Sequence, residues 1–184
     1  VTVTDVDEFD VGAVADTNAA GNSLTENSAN GTAVGITARA VDADATTDTI
    51  TYTLSNNAGG RFAINSTTGV ITVADGTLLN YETATSHSIT VLATSADGSS
   101  SSQAFTISLT EVDEFNVGAI TDSNAATNRV AENAANGSTV GLTANATDAD
   151  ATNNTVTYTL SNNAGGRFAI NSTSGVVTVA NGTL

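Results

Sequence analysis

Alternating apolar and hydroxyl side chains predict short β-strands along this chain. The alternation is clearest at residues 50–54 and 88–93, and it recurs at 70–73 and 104–109. A period of two places successive side chains on opposite faces of a sheet, and the glycine, asparagine, serine and aspartate between these segments mark turns. Weaker strands are predicted at residues 11–14, 34–40 and 61–64. About seven short strands favour an all-β fold, an antiparallel two-sheet β-sandwich.

A long internal duplication organises these strands. Residues 7–78 recur as residues 113–184 without a gap, an offset of 106 positions, and 52 of the 72 aligned pairs are identical. A unit of this length is the size of a domain and is too long for a solenoid repeat. The sequence therefore predicts a tandem array of β-sandwich repeats.

The duplication also predicts the domain boundaries. No counterpart of residues 79–112 follows the second copy, so we interpret the chain as a fragment whose second repeat is truncated and lacks its last strands. The predicted parts are the end of a preceding connector (1–6), repeat 1 (7–110), a connector (111–116) and repeat 2 (117–184).

The charge of the chain narrows the possible partners. Nineteen acidic residues stand against four arginines and no lysine, and the net charge is −15. Nucleic acids and anionic membranes require clustered cations, so both are excluded as partners. There is no cysteine, and no apolar run approaches the length of a membrane-spanning helix. An acidic surface of this kind suits solubility or cation binding.

Three short segments resemble the core signature of cadherin-type repeats. They are Tyr-Thr-Leu at 52–54, Phe-Ala-Ile-Asn at 62–65 and Thr-Gly-Val-Ile-Thr-Val at 68–73, and residues 158–179 repeat the set. This resemblance implies an antiparallel Greek-key β-sandwich of the cadherin and immunoglobulin type in each repeat. Acidic residues also stand where cadherins hold calcium. The near-identical, acidic tandem units look most like the extender region of giant bacterial repeats-in-toxin (RTX) adhesins, which are exported to the cell surface and support adhesion and biofilm formation.

The resemblance implies a calcium site at the join between the two repeats. Calcium takes six to eight oxygen ligands, more than one short loop usually supplies. The carboxylates assigned to this join are Glu26, Glu82, Glu111, Asp113, Glu114, Asp148 and Asp150. Backbone carbonyls are assigned to Val112, Phe115 and Asn154, and a side-chain oxygen to Asn80, which stands where the family usually has aspartate.

The resemblance implies two further, incomplete joins. The upstream join is assigned Asp5, Asp7 and Glu8 from its connector, Asp42, Asp44 and Asp97 from repeat 1, and a carbonyl of Asp48. Glu132 is assigned to a downstream join whose connector does not occur in the sequence. Without metal these carboxylates repel one another. We therefore expect calcium to stiffen a flexible chain into a monomeric rod whose partners are its own neighbouring repeats.

Other functions fit the sequence less well but leave one alternative open. A binding module that engages a partner by homophilic contact or binds a glycan remains possible, since the strands are rich in threonine. An enzyme is not expected, because there is a single histidine, His87, no Gly-x-Ser-x-Gly pattern and no tryptophan. The lone histidine also argues against zinc. Arg61 and Arg167 are interpreted as turn residues.

Overall fold

The alternating segments of the first repeat form β-strands in the structure, a computed structural model that describes residues 1–4, 6, 8–44 and 46–183. The chain divides into two units, Val1–Val112 (unit 1) and Asp113–Leu184 (unit 2). These limits lie close to the predicted boundaries, which stay predictions.

Unit 1 contains eight strands among its described residues. They are β1 (Ala15–Asp16), β2 (Ser23–Thr25), β3 (Ala33–Arg39), β4 (Ile50–Asn56), β5 (Phe62–Ile64), β6 (Val70–Val73), β7 (Ser86–Ser95) and β8 (Ser100–Thr110). One turn of 3-10 helix, Gly76–Leu78, follows β6, and Asp75 caps it by accepting the Thr77 N–H. Among the described residues, no helix is both long enough and apolar enough to cross a membrane.

The strands of unit 1 form two four-stranded sheets. One sheet has the order β1-β3-β6-β5 and the other β2-β8-β7-β4. The longest ladder joins β7 to β8, from Ser86 opposite Ser108 to Thr94 opposite Ser100. All these pairs are antiparallel except β2 with β8, which is parallel. The predicted all-β sandwich is confirmed, with this one parallel pair as a refinement.

The core lies between the two sheets of unit 1. Ile36 and Ile71 project from the first sheet, and Ile89, Val91 and Ile107 from the second, all with at most 1% of their surface exposed. Aliphatic side chains dominate this core, with Phe62 and Tyr52 as its aromatic members. Burial of such side chains is the main term that stabilises the sandwich.

Two short strands differ from the prediction. The segment predicted at 11–14 is not a strand, although Val11 and Val14 are both buried. The strand β1 begins one residue later, at Ala15. The strand β2 was not predicted, because its pattern spans three residues and its partner β8 lies more than eighty positions away.

The described part of unit 2 contains the counterparts of one of the two sheets, the sheet β1-β3-β6-β5. Its strands are β9 (Thr121–Asp122), β10 (Thr139–Asn145), β11 (Phe168–Ile170) and β12 (Val176–Val179), in the sheet order β11-β12-β10-β9. The counterpart of β4, residues 156–162, is not a strand. Residues 113–184 include no counterpart of β7 for it to pair with. A cavity of about 540 Å³ opens on this face, and Leu142, Tyr158, Leu160 and Val177 contribute to its lining.

The two arginines of the Gly-Gly-Arg-Phe turns hold their own turns together. Arg61 donates from Nε to the Leu78 carbonyl at 2.9 Å and from Nη1 to the Ala58 carbonyl at 2.7 Å. Arg167 donates from Nη1 to the Ala164 carbonyl at 2.8 Å. This arrangement matches the interpretation of both arginines as turn residues.

Because the described part of unit 2 has one sheet where unit 1 has two, the same substitution should lower the free energy of unfolding by different amounts in the two units. Phe62 is 2% exposed in unit 1, whereas its counterpart Phe168 is only partly buried. We expect Phe62→Ala to destabilise unit 1 by about 3–5 kcal/mol. Phe168→Ala should destabilise unit 2 by clearly less. Urea unfolding followed through backbone amide signals of each unit measures both costs, and equal costs would contradict the described difference in burial.

His87 is the one titratable group that faces the core of unit 1 from β7. Its ring lies 6.2 Å from the ring of Phe62, centroid to centroid, and its Nε2 atom is buried without a hydrogen-bond partner among the described residues. Burial lowers the pKa of His87 from its ordinary value, and the nearby positive charge of Arg61 lowers it further.

This lowered pKa predicts a pH dependence of stability. The folded state disfavours protonated His87. The contribution of neutral His87 to the free energy of unfolding is therefore fully present above the unfolded-state pKa of about 6.5, and it is lost as the pH falls below that value. We expect unit 1 to lose stability between about pH 7.5 and pH 5.5, above the range in which carboxylates titrate. His87→Phe should remove this dependence. Urea midpoints across this range test the prediction, and an equal slope in both proteins would refute it.

Candidate metal-binding carboxylates

Three aspartates of unit 1 form a carboxylate cluster. Asp42 and Asp44 follow β3, and Asp97 lies in the turn between β7 and β8. One oxygen from each lies within 4.8 Å of the other two. Asp42 is 8% exposed and Asp44 is 6% exposed. Asp97 is partly buried. Carboxylates this close together and this far from water are unfavourable unless hydrogen bonds or a cation compensate the charge.

Backbone N–H groups near the beginning of unit 1 compensate the charge of Asp44. Its Oδ1 accepts the Glu8 N–H at 3.1 Å, and its Oδ2 accepts the Phe9 N–H at 3.2 Å. Both carboxylate oxygens therefore have backbone donors. The contact fixes residues 8 and 9 beside the cluster.

Asp42 is held by a serine. The Ser95 hydroxyl donates to Asp42 Oδ2, and the Asp44 N–H donates to Asp42 Oδ1 at 3.3 Å. The Ser95 hydrogen bond is the main reason that the pKa of Asp42 lies below its ordinary value, while burial opposes this shift. Asp42 is therefore ionised at neutral pH, as a cation ligand must be.

Asp97 has one oxygen that hydrogen bonds leave unsatisfied. Its Oδ1 accepts the Ser99 N–H at 2.6 Å. Its Oδ2 is buried and has no hydrogen-bond partner among the described residues. A hard cation bound between Asp42, Asp44 and Asp97 would supply this oxygen with a partner, since such ions take oxygen ligands. The donor set of this cluster thus fits calcium.

Glu26 anchors the opposite end of unit 1. It follows β2, and it is 2% exposed although charged. Its Oε1 accepts the Val112 N–H at 2.8 Å, and its Oε2 accepts the Tyr81 N–H at 2.6 Å. One carboxylate thereby ties β2 to the turn at Tyr81 and to the connector at Val112.

Two other glutamates lie beside Glu26. A carboxylate oxygen of Glu82 lies within 4.8 Å of one of Glu26. Carboxylate oxygens of Glu82 and Glu111 also lie within 4.8 Å of each other. Asn80 shapes the turn that carries Glu82, since its Oδ1 accepts the Thr83 N–H at 2.7 Å. The structure therefore brings the three predicted carboxylates of this end together.

Unit 2 repeats the connector contact at its beginning. Asp150, 3% exposed, accepts the Glu114 N–H at 3.1 Å and the Phe115 N–H at 3.2 Å. Asp148 has a buried Oδ1 with no hydrogen-bond partner among the described residues. Asp113 and Asn154 are exposed. The carboxylates assigned to the join thus belong partly to unit 1 and partly to unit 2, and their shared site stays a prediction.

The remaining residues assigned from the sequence are either exposed or outside the described residues. Asp5 and Asp7 lie outside the described residues. Asp48 is exposed, and it lines a cleft of about 310 Å³ that Asp42 and Arg39 also line. Glu132, the counterpart of the buried Glu26, is exposed in unit 2, where residues 113–184 provide no counterparts of Tyr81 and Val112.

Two serines that support the aspartate cluster were not predicted. Ser95 is 4% exposed and holds Asp42, and the Ser99 hydroxyl oxygen accepts the Val11 N–H at 2.9 Å. They flank Asp97 in the segment Ser-Ala-Asp-Gly-Ser. The serines could have been noticed as neighbours of a predicted ligand, but nothing in the sequence distinguishes them from the many exposed serines nearby.

The family of the first unit follows from its sequence. Residues 22–110 match the cadherin domain model, and unit 1 is therefore a member of the cadherin domain family. Residues 128–184 of unit 2 are the counterparts of residues 22–78 within this match. The cadherin domain is a non-enzymatic adhesion fold, and cadherin domains in general bind calcium.

Curated relatives and solved structures agree with this membership. The chain is 37% identical over 130 residues to mouse protocadherin Fat 4, and 32% identical over 165 residues to zebrafish (Danio rerio) cadherin-related family member 1a. These matches cover 68% and 85% of this chain but only 2% and 19% of the relatives. The EC22–24 structure of mouse cadherin-23 superposes with a TM-score of 0.76 at 26% identity, covering 97% of this chain and 56% of that one.

A second solved structure shares the fold at lower identity. The EC3–6 cis-dimer structure of protocadherin gammaB7 has a TM-score of 0.76 and 18% identity, and the match covers 99% of this chain and 45% of that one. At this identity the likeness supports the fold alone.

Glu26 offers a test of the carboxylate contacts without metal. Glu26→Gln replaces one carboxylate oxygen with an amide NH₂ group. Because this NH₂ group cannot accept a hydrogen bond, either the Tyr81 or the Val112 N–H loses its acceptor. We expect a loss of about 1–3 kcal/mol in the stability of unit 1, measured in EDTA by hydrogen exchange of the Tyr81 and Val112 amides. The exposed counterpart change Glu132→Gln should cost within about 0.5 kcal/mol. Unchanged protection at both amides in Glu26→Gln would show that the contacts are not formed.

Proposed function

We propose that this chain is part of a calcium-stiffened extracellular array of cadherin-type repeats. The main support is the aspartate cluster of unit 1, where a buried oxygen of Asp97 has no hydrogen-bond partner in the described part of the chain and lies beside Asp42 and Asp44. Oxygen ligands of this charge suit calcium better than zinc or other soft metals. The calcium binding of cadherin domains in general supports the same assignment.

In this proposal the buried carboxylates act on the connectors. Asp44 and Asp150 already hold backbone N–H groups of their connectors, and Glu26 holds that of Val112. A calcium ion bound to the remaining carboxylate oxygens would remove the repulsion that favours local opening. The connector would then be held at both ends, and adjacent repeats would be fixed at one angle.

We further propose the role of an extender in a secreted bacterial adhesin of the RTX class. The array would hold a distal binding domain away from the cell surface. Support comes from the identity of 52 of 72 paired residues, from the net charge of −15 and from the absence of cysteine. Near-identical units suit a spacer, because each unit then needs to contact only its neighbours and length is added unit by unit. The two curated relatives named above are animal proteins.

A second candidate function is a binding module that contacts another copy or a glycan. The sheet β2-β8-β7-β4 favours it, because its outer face carries hydroxyl groups and no charge. Thr51, Thr94 and Ser100 lie opposite one another across this sheet, and in the next row Thr53 and Ser102 lie on either side of Leu92. Retention on immobilised glycans, or dimers that form through this face, would favour the binding module over the extender.

Calcium titration tests the proposal. We expect calcium to bind with a dissociation constant of roughly 10⁻⁴–10⁻³ M, as in extracellular modules. At a hundredfold excess each site should stabilise the protein by about 2.7 kcal/mol. Titration calorimetry and thermal unfolding with CaCl₂ or EDTA measure these effects, and X-ray scattering should show a stiffer molecule with calcium. No heat of binding together with an unchanged melting temperature would rule the proposal out.

A matched pair of variants assigns the effect to the aspartate cluster. Asp97→Asn retains an Oδ1 acceptor for the Ser99 N–H but removes the charge, and it should weaken the affinity about tenfold, roughly 1.4 kcal/mol. Asp75→Asn removes the same charge outside the cluster and retains the acceptor for the Thr77 N–H. It should leave the affinity unchanged. Equal affinities in the two variants would place the metal elsewhere.

A further inference from the structure

The segment that precedes β1 is held at Val11 by a side chain from a distant turn. This entering segment (residues 8–12) contributes Val11 to the core of unit 1, where the residue is 7% exposed. The Val11 N–H donates to the Ser99 hydroxyl oxygen at 2.9 Å, across 88 positions of sequence. Ser99 lies in the turn between β7 and β8, the Asp97 turn (residues 95–99). Because a buried N–H group needs an acceptor, the position of Val11 depends on the position of this turn.

The same turn carries Asp97, the member of the aspartate cluster with an unsatisfied oxygen. The Ser99 N–H donates to Asp97 Oδ1 at 2.6 Å. Two backbone hydrogen bonds close the turn, since the Ser95 N–H donates to the Ser99 carbonyl at 3.0 Å and the Gly98 N–H donates to the Ser95 carbonyl at 3.1 Å. Ser99 therefore contacts Asp97 through its backbone and Val11 through its side chain, and it is the shared residue of the two contacts.

We propose that Ser99 couples the aspartate cluster to the entering segment, so that neutralising the charge of Asp97, as a bound cation does, fixes Val11. This coupling rests on the proposed function, in which a calcium ion binds the cluster. Without a cation, the carboxylate of Asp97 is repelled by those of Asp42 and Asp44, and its buried Oδ2 has no partner among the residues that the structure describes. Both effects favour opening of the Asp97 turn. An open turn withdraws the Ser99 hydroxyl from the Val11 N–H.

The coupling is reciprocal, as any coupling between two binding events is. If calcium stabilises the Val11 contact by a given factor, the Val11 contact strengthens calcium binding by the same factor. Ser99→Ala removes the hydroxyl acceptor but retains the backbone N–H that donates to Asp97. The variant keeps every carboxylate of the cluster, so it should weaken calcium binding by no more than the coupling factor. Ser99 acts through Asp97 and is thus a positioning residue.

Hydrogen exchange of the Val11 amide in the full chain tests the coupling. We expect calcium to slow this exchange about tenfold, the effect of one backbone hydrogen bond that opens less often. In Ser99→Ala the amide should exchange faster, and calcium should no longer change its rate, although calorimetry still shows binding. A hydroxyl with only a structural role changes the rate equally with and without calcium. If calcium slows the exchange in Ser99→Ala as much as in the unchanged chain, or binds without slowing it in the unchanged chain, the proposal is overturned.

A second variant tests the coupling without metal. Asp97→Asn removes the repelled charge, retains an Oδ1 acceptor for the Ser99 N–H, and gains an NH₂ group that can donate to the neighbouring carboxylates. In EDTA it should slow exchange of the Val11 amide several-fold, and adding Ser99→Ala should abolish this effect. An unchanged rate in Asp97→Asn would overturn the coupling, whether or not calcium binds. Slowed exchange in Asp97→Asn, together with no heat of calcium binding to the unchanged chain, would support the coupling and count against the calcium proposal alone.

Two further variants separate the hydroxyl contact from a general loss of stability. Ser102→Ala changes an exposed serine of β8 outside the Asp97 turn, and it should leave the Val11 exchange rate and its calcium response unchanged. Ser99→Thr restores a hydroxyl group at the coupling position, so it should recover the calcium response that Ser99→Ala loses. A calcium response that Ser102→Ala abolishes as fully as Ser99→Ala does would overturn the assignment to Ser99.

Discussion

The ends of both units depend on buried carboxylates that accept backbone N–H groups from distant parts of the chain. Asp44 holds residues 8 and 9, Asp150 holds residues 114 and 115, and Glu26 holds Tyr81 and Val112. Burial of an ionised carboxylate is costly unless donors replace its water. Each of these groups is therefore stable only while its loop and connector stay in place. This mutual dependence couples the folding of the sandwich to the path of the connector, and a metal ion bound at the same place would act on both.

The two units show that pairing, more than local preference, makes their strands. The segment Ile50–Asn56 forms β4 in unit 1 and pairs with β7 from Ile50 to Asn56. Its counterpart at 156–162 differs at one residue, valine for Ile50, but it is not a strand. The backbone N–H and C=O groups of an isolated segment hydrogen bond to water as well as to a neighbour. Threonine and tyrosine raise the tendency to be extended, but the ladder with β7 determines the strand.

Sequence reasoning succeeded where the signal was local. The period of two located β4, β6, β7 and β8 because each buries one face. The resemblance to cadherins grouped Asp42, Asp44 and Asp97, whose carboxylates lie close together in the structure. It missed β2, whose parallel partner is distant, and it placed β1 too early because Val11 and Val14 are buried outside any strand. It also could not show that Asp44 binds backbone N–H groups or that Ser95 holds Asp42. Such contacts depend on which loops the fold brings together, and residue type alone does not encode this.

Charge is distributed unevenly between the sheets and the ends of the units. The strands β2, β4, β7 and β8 contain no acidic or basic residue other than His87, whereas the buried carboxylates gather where strands end. Repulsion is therefore concentrated at the ends of the units, where the connectors meet the sandwich. A cation that binds there lowers the local charge and leaves the sheet faces unchanged. With neutral faces and acidic ends, a bound calcium ion would act on the connectors and leave the sandwich itself unchanged.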